Sequence, residues 1–471
     1  MGRSDECSRS DECIGMKSTG NNQDGSLRLL QLSAWVRRSG LLRSLYSLFP
    51  AALRRNVVDS LISRANEGMR FPRTAAWERE IAPPEAPAHF LPARRDDRAG
   101  LNVIGFIRGQ FGLAEAARLY IRALIDAGID VRLHDVDLDL PHGRADDSLA
   151  EWVDETLPHD VTLVFVNPDF LELALEKVGR DKLAGKYIIA CWFWELEEVP
   201  AEWMPAVRRV DEIMVATGFI EDAFRRVTDK PVLRVPLPLS SVADSGLQRA
   251  DFGLDQDSFI FLTSFDFHSW IERKNPYAVV KAFAEAFPGG NEQVRLLVKT
   301  SNGYLYPDKL KVLLEYAAAD PRILIRDDII DRAHFNALQR CCDAYVSLHR
   351  AEGFGLGLAE CMALAKPVVA TAWSGNLEFM DADTACLVDY RLVKVGEGEY
   401  PHPPGAVWAE PCVGSAAQAM RKLFEDPSGA RELGDRARRS VLEKLAPAQA
   451  ALRLSERLAQ IKENRIGMSN A

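Results

Sequence analysis

One stretch, Ser347 to Met380, restricts the folds open to this chain more than any other. It reads SLHRAEGFGLGLAECMALAKPVVATAWSGNLEFM. An apolar strand end, Asp343 to Leu348, leads into a loop from Arg350 to Gly355, and Leu358 to Ala365 is a run of helix formers. Lys366 and Pro367 stop that helix, and Val368 to Thr371 reads as the next buried strand. Strand, glycine loop, helix and strand in this order make one unit of a parallel sheet. Glycines at 353, 355 and 357 let the backbone approach a ligand closely. The start of a helix favours an anionic group, so the loop suits a phosphate or diphosphate.

Two carboxylates, Glu352 in the loop and Glu360 about one turn into the helix, are separated by seven residues. A carboxylate repels a phosphate. It is better matched to a polyol, whose hydroxyls donate to it. The unit therefore reads as built for a nucleotide that carries a sugar. A lone glycine loop is more often a tight turn with solvated acids. The stopped helix, the following strand and the second acid weigh against that here.

Glu352-x7-Glu360 within EGFGLGLAE, followed by KPVVAT and SGNLEFM, resembles the donor-site signature of retaining glycosyltransferases of the GT-B fold, family 4 type. The resemblance is strongest over 260–380 and extends more loosely over 101–460. It implies an α/β fold of two Rossmann-like domains facing across a cleft. It also implies transfer of a sugar from a UDP- or GDP-linked donor to an acceptor hydroxyl with retention of configuration, with no cofactor and no obligatory metal. Carried onto this sequence, Glu352 would contact the sugar hydroxyls and Glu360 the nucleotide ribose. Lys274 and Arg273, with Gly353, Phe354, Gly355 and Leu356, would bind the diphosphate. The family often places an Arg six residues before the Lys, but position 268 is His here. The chemical need for cations is clear, because a leaving diphosphate gains charge as the glycosidic bond breaks.

Before this region, a folded domain begins at Leu101. A strand (Leu101–Phe106), a loop containing Gly109 and Gly112, a helix (Leu113–Ala127) and a strand (Ile129–Leu133) follow. The loop lacks the GxGxxG spacing of dinucleotide sites. By resemblance it faces the cleft, which makes Gly109 and Gly112 candidate donor contacts. Further strands at 161–166, 187–191 and 212–216 end in polar or aromatic residues, where open α/β sheets bind ligands. Trp194 and Glu195 of the WFWE segment are candidate acceptor or sugar contacts, weighed evenly against a packed aromatic edge. Many relatives carry a sugar-contacting His near this point. Residues 390–411 read as a Gly- and Pro-containing insertion with Tyr400, His402 and Trp408, and 415–425 and 430–462 as helices.

The resulting division is a tail, basic helices and linker (1–97), an acceptor-side domain (98–240), a donor domain (241–428) and C-terminal helices returning to the first domain (429–471). Residues 1–25 read as disordered. Residues 26–66 alternate apolar residues with arginines and either lie on an anionic membrane surface or dock on the protein or a partner. The expected acceptor is a saccharide or lipid-linked saccharide, as in bacterial surface-glycan synthesis. A net charge of −10 argues against generic nucleic-acid binding. The eight cysteines contain no CxxC pair, and no apolar run nears the ~20 residues of a membrane span. The expected location is the cytoplasm, with or without peripheral contact to the inner face of the membrane. Two rival readings are a GT-B epimerase or hydrolase acting on the nucleotide sugar alone, and a non-catalytic nucleotide-sugar scaffold.

Overall fold

The computed structural model describes residues 100–469, apart from 140–143, 145, 242–243 and 402–404. The tail, basic helices and linker expected over 1–97, and His402, lie outside the described residues. No helix among the described residues is long and apolar enough to cross a membrane.

The first sheet contains β1 Leu101–Gly105, β2 Val131–Asp135, β3 Val161–Phe165, β4 Tyr187–Cys191, β5 Glu212–Val215 and β6 Val232–Arg234. Their spatial order is β2-β1-β3-β4-β5-β6, and every neighbouring pair is parallel. β1 and β3 are buried at every residue, as strands covered by helices on both faces must be.

The second sheet contains β7 Phe259–Asp266, β8 Val294–Ser301, β9 Ile323–Asp327, β10 Ala344–Ser347, β11 Val368–Thr371 and β12 Cys386–Val388. Its order, β12-β11-β10-β7-β8-β9, is again all parallel. Parallel sheets bind ligands beyond the carboxyl ends of the strands where the order reverses. Here the reversals fall between β1 and β3 and between β7 and β10. The short helix Ile271–Lys274 in the connection after β7 carries Arg273 and Lys274, and the loop after β10 carries Glu352. Topology alone therefore brings two segments nearly eighty residues apart in sequence to one point.

Two expectations are refined. The Gly- and Pro-containing insertion over 390–411 holds a hairpin. β13 Tyr390–Lys394 and β14 Val407–Pro411 pair antiparallel, with Leu392 opposite Ala409. The expected 430–462 helix is two helices, Pro427–Lys444 and Pro447–Ser469. Pro447 has no N–H to continue the ladder and disfavours helical geometry at Ala446, so the chain turns there.

That turn sends the last helix back across the first sheet. Ala450, Leu454, Leu458 and Ile461, at helical spacing, join one buried cluster with Tyr120, Leu124 and Met214. Burying a Leu or Ile side chain contributes about 1.5–3 kcal/mol, so these contacts dominate the docking. An ion pair fixes the register: Arg457 Nη2 meets Glu212 Oε2 at 2.8 Å, and the Glu212 carboxylate is fully buried.

Candidate active site

The β10 loop is held in shape by its neighbours. His349 is fully buried. Its Nδ1 meets Ser347 Oγ at 3.2 Å, and its Nε2 meets Asn376 Oδ1 at 3.2 Å and the Trp373 carbonyl at 3.3 Å. Burial lowers its pKa, and a neutral ring with the proton on Nε2 satisfies all three contacts. Thr371 Oγ1 donates to the His349 carbonyl at 2.7 Å, and Glu352 N donates to Ser374 Oγ at 2.8 Å. Ser374 sits at φ 76° and ψ −149°. A non-glycine residue in that region carries about 1–3 kcal/mol of strain, which the surrounding hydrogen bonds must offset.

Two glycines have specific reasons. A Cβ on Gly353 would lie 2.9 Å from the Trp194 carbonyl oxygen of the first domain. Gly355 caps the helix Leu356–Ala363 at φ 92°, where any other residue would be strained. The Gly353 carbonyl also accepts from Thr217 Oγ1 at 3.0 Å, so this loop is an interdomain contact. Gly218 N donates to Glu378 Oε2 at 2.8 Å, a second contact between the domains.

Glu352 is 6 % exposed. Lys274 Nζ lies 2.5 Å from its Oε1, and Arg273 Nη1 lies 3.1 Å from its Oε2. Burial pushes the carboxyl pKa up, but Lys274 and then Arg273 outweigh it and hold Glu352 at about 2. Burial pulls Lys274 below the usual lysine range, against the attraction of Glu352. Arg273 is 5 % exposed. Its Nη1 also donates to the Ala351 carbonyl at 2.9 Å, and its Nη2 lies 3.7 Å from Glu195 Oε1.

The remaining candidates are placed as follows. Glu360 is 1 % exposed and paired with Arg332, and Gln339 Nε2 donates to it at 3.4 Å. Arg332 also lies 3.9 Å from Glu115 of the first domain. Phe354 is buried against Phe379, with ring centroids 5.0 Å apart. Leu356 opens the helix that follows. Trp194 turns into the core: it is 3 % exposed, its indole N–H donates to the Glu198 carbonyl at 2.8 Å, and its ring packs edge-on against Trp203. Glu195 accepts from Tyr400 Oη at 2.7 Å. His268 is engaged with Asp266, its Nδ1 3.0 Å from Oδ1.

In the first domain, Gly109 is enclosed. Its carbonyl accepts from Arg118 Nη1 at 2.7 Å, and its N–H donates to the Phe106 carbonyl at 2.9 Å. Gly112 begins the helix Gly112–Asp126. At the end of β9, Lys299 Nζ and Arg326 both pair with Asp328, the first at 3.1 Å.

Residues 259–396 match the family model Glycosyl transferases group 1. The matched span holds all six strands of the second sheet. A trehalose synthase of Rubrobacter xylanophilus is 26 % identical over 197 residues, and the match spans 41 % of each chain. The chain thus spans well under half the length of that curated relative. Sucrose-phosphate synthase of Thermosynechococcus elongatus superposes with a TM-score of 0.56 at 16 % identity, over 78 % of this chain and 100 % of the other. Anabaena HepE in complex with UDP and glucose superposes with a TM-score of 0.54 at 16 % identity, over 77 % of this chain and 100 % of the other. These likenesses establish the fold, which is GT-B.

Sequence reasoning missed Tyr400 and Arg332 as site residues. Tyr400 carried a signal, an aromatic within an insertion after the donor signature, but no spacing assigned it a role. Arg332 stands alone in DRAHF and reaches Glu360 only through folding.

Proposed function

We propose that this protein moves a sugar from a nucleotide sugar to an acceptor hydroxyl with retention of anomeric configuration. The observation that carries the reading is the ionised Glu352, buried at the β7/β10 reversal and held by Lys274 and Arg273. Beside it lie the glycine loop and the start of a helix, which suit a diphosphate. Glu352 is the group for the sugar hydroxyls. Lys274 and the amides of Gly353 to Leu356 take the diphosphate, and Lys274 stabilises the charge that grows on it as the glycosidic bond breaks. The departing phosphate then helps deprotonate the acceptor on the same face. These fixed cations supply the electrostatics, so the reading calls for no metal ion.

Glu360 is the group for the ribose. It is paired with Arg332, so a ribose hydroxyl would replace or share that partner. The UDP named for HepE makes a uridine donor the first to try, with GDP-linked sugars next. A saccharide or lipid-linked saccharide is the acceptor class, and the arginine-rich segment 26–66 is a means of meeting it at the inner face of the membrane.

The test is turnover of radiolabelled UDP- and GDP-sugars with a panel of saccharide acceptors, with the anomer of the product read by NMR. Glu352→Ala and Lys274→Ala should lose activity heavily while keeping the wild-type circular dichroism spectrum. Wild-type turnover in both variants, or an inverted anomer, would sink the assignment. Donor consumption without acceptor would favour the hydrolase or epimerase reading.

A further inference from the structure

The β13/β14 hairpin belongs to the second domain but packs on the first. Val393, Val395, Tyr400, Ala406 and Trp408 share one cluster with Trp194 and Trp203. The Tyr400 ring stands 5.8 Å from Trp194, 5.9 Å from Trp270 and 6.2 Å from Trp408, which fixes where its hydroxyl points. That hydroxyl donates to Glu195 Oε2 at 2.7 Å. The other oxygen of Glu195 lies 3.7 Å from Arg273 Nη2. Nη1 of the same guanidinium lies 3.1 Å from Glu352 Oε2. Four groups thus form a line, Tyr400–Glu195–Arg273–Glu352, that leaves the second domain, crosses the first and returns.

We infer that Tyr400 and Glu195 are positioning residues for glycosyl transfer, and that they act by holding Arg273 as the permanent partner of Glu352. This rests on the donor-site reading above and adds a division of labour to it. The four charges Glu195, Glu352, Arg273 and Lys274 sum to zero. A buried carboxylate needs a cation at all times. When Lys274 turns to a diphosphate, Glu352 keeps only Arg273. Both terminal nitrogens of Arg273 are already engaged, by Ala351 and Glu352 on one side and Glu195 on the other. Arg273 is therefore a support for the carboxylate, and Lys274 is the phosphate cation of the pair. The support is complete only when the hairpin and the first domain meet, so the acceptor-side domain contributes to how the donor sugar is held.

The test compares wild-type, Tyr400→Phe and Glu195→Gln proteins, using UDP, UDP-glucose, GDP and GDP-mannose as probes. Tyr400→Phe keeps the ring packing and removes only the donor. Affinity for the bare nucleotide should stay within about twofold, while affinity for the nucleotide sugar and kcat should each fall about tenfold. In a Glu352→Gln background, Tyr400→Phe should cause no further loss in sugar-specific affinity, because its effect passes through Glu352. Wild-type sugar affinity and kcat in both single variants would overturn this inference and leave the donor-site reading standing. An equal loss in the Glu352→Gln background would also overturn it, by showing that the hydroxyl serves packing. If wild type binds none of the four probes, both readings fall together.

Discussion

Each domain contains the same local pattern, a buried strand, a glycine loop and a helix, at β1 in the first and at β10 in the second, yet the two loops are satisfied differently. After β1, the loop is closed from within. Arg118, 3 % exposed, donates to the carbonyls of Ile107 and Gly109 at 2.9 and 2.7 Å and is itself neutralised by Glu115 and Asp146. After β10, the loop depends on others. Its carboxylate is balanced by cations from the connection after β7, and its glycine backbone rests against the first domain. A loop whose polar groups are met internally is a structural corner. A loop whose charges are met by partners that a ligand can also engage is a site. One strand-loop-helix pattern serves both ends, and the difference lies in where the balancing charge comes from.

The sharpest break in this comparison is at the second loop. Lys274→Ala should lower kcat by about 10²–10³-fold, the scale on which losing one transition-state charge contact acts, at a smaller cost in stability because Arg273 still meets Glu352. The corresponding cut in the first loop should do the opposite. Arg118→Ala removes a buried cation and leaves the carbonyls of Ile107 and Gly109 without their donor, and should lower unfolding stability by about 3–5 kcal/mol in chemical denaturation. An Arg118→Ala protein as stable as wild type would erase the distinction.

Acid gives a third handle. The Glu352 pKa is lowered from 4.5 to about 2 in the folded protein. Its contribution to stability is therefore full above pH 4.5 and is lost as pH falls toward 2, and linkage sets it at roughly 3 kcal/mol. Glu352→Gln should flatten that part of the stability curve, and an unchanged curve would contradict the charge balance described here. His349 acts in a higher window. Burial holds it below its usual 6.5, so its contribution fades as pH falls beneath that value. The smallest expected effect is at Glu360. Arg332→Ala should change nucleotide affinity by only a few-fold, because a ribose hydroxyl competes with Arg332 for Glu360 and takes its place in the complex.

Much of the site is legible in the sequence because its parts are local. Glu352, Gly353, Gly355 and the following helix lie within one short stretch, and the spacing of strand, loop and helix fixes their relation before any tertiary contact forms. Lys274 is legible through the family resemblance, whose basic residue it matches, while the pairing of β7 with β10 that brings it to Glu352 shows only in the fold. What escapes is what folding alone brings together. Tyr400 meets Glu195 across more than two hundred residues, and Arg332 meets Glu360 from a separate helix. The hairpin is hidden because the Gly- and Pro-rich residues between its strands dominate the local reading. The break at Pro447 is hidden by apolar periodicity that continues on both sides of it. Arg273 shows the limit of residue type as a guide: a cation beside Lys274 suggests phosphate, while its burial between two carboxylates assigns it to Glu352.

The most direct measurement is the melting temperature of the purified protein against UDP, GDP and their common sugars, repeated on Lys274→Ala. A ligand at about 100 times its dissociation constant adds about 2.7 kcal/mol to the state it binds, so a true donor is readily seen. The account predicts that nucleotides of one base family raise the midpoint and that Lys274→Ala abolishes the rise. A rise that survives in Lys274→Ala, or no rise with any nucleotide, would contradict the placement of the donor site at the reversal between β7 and β10.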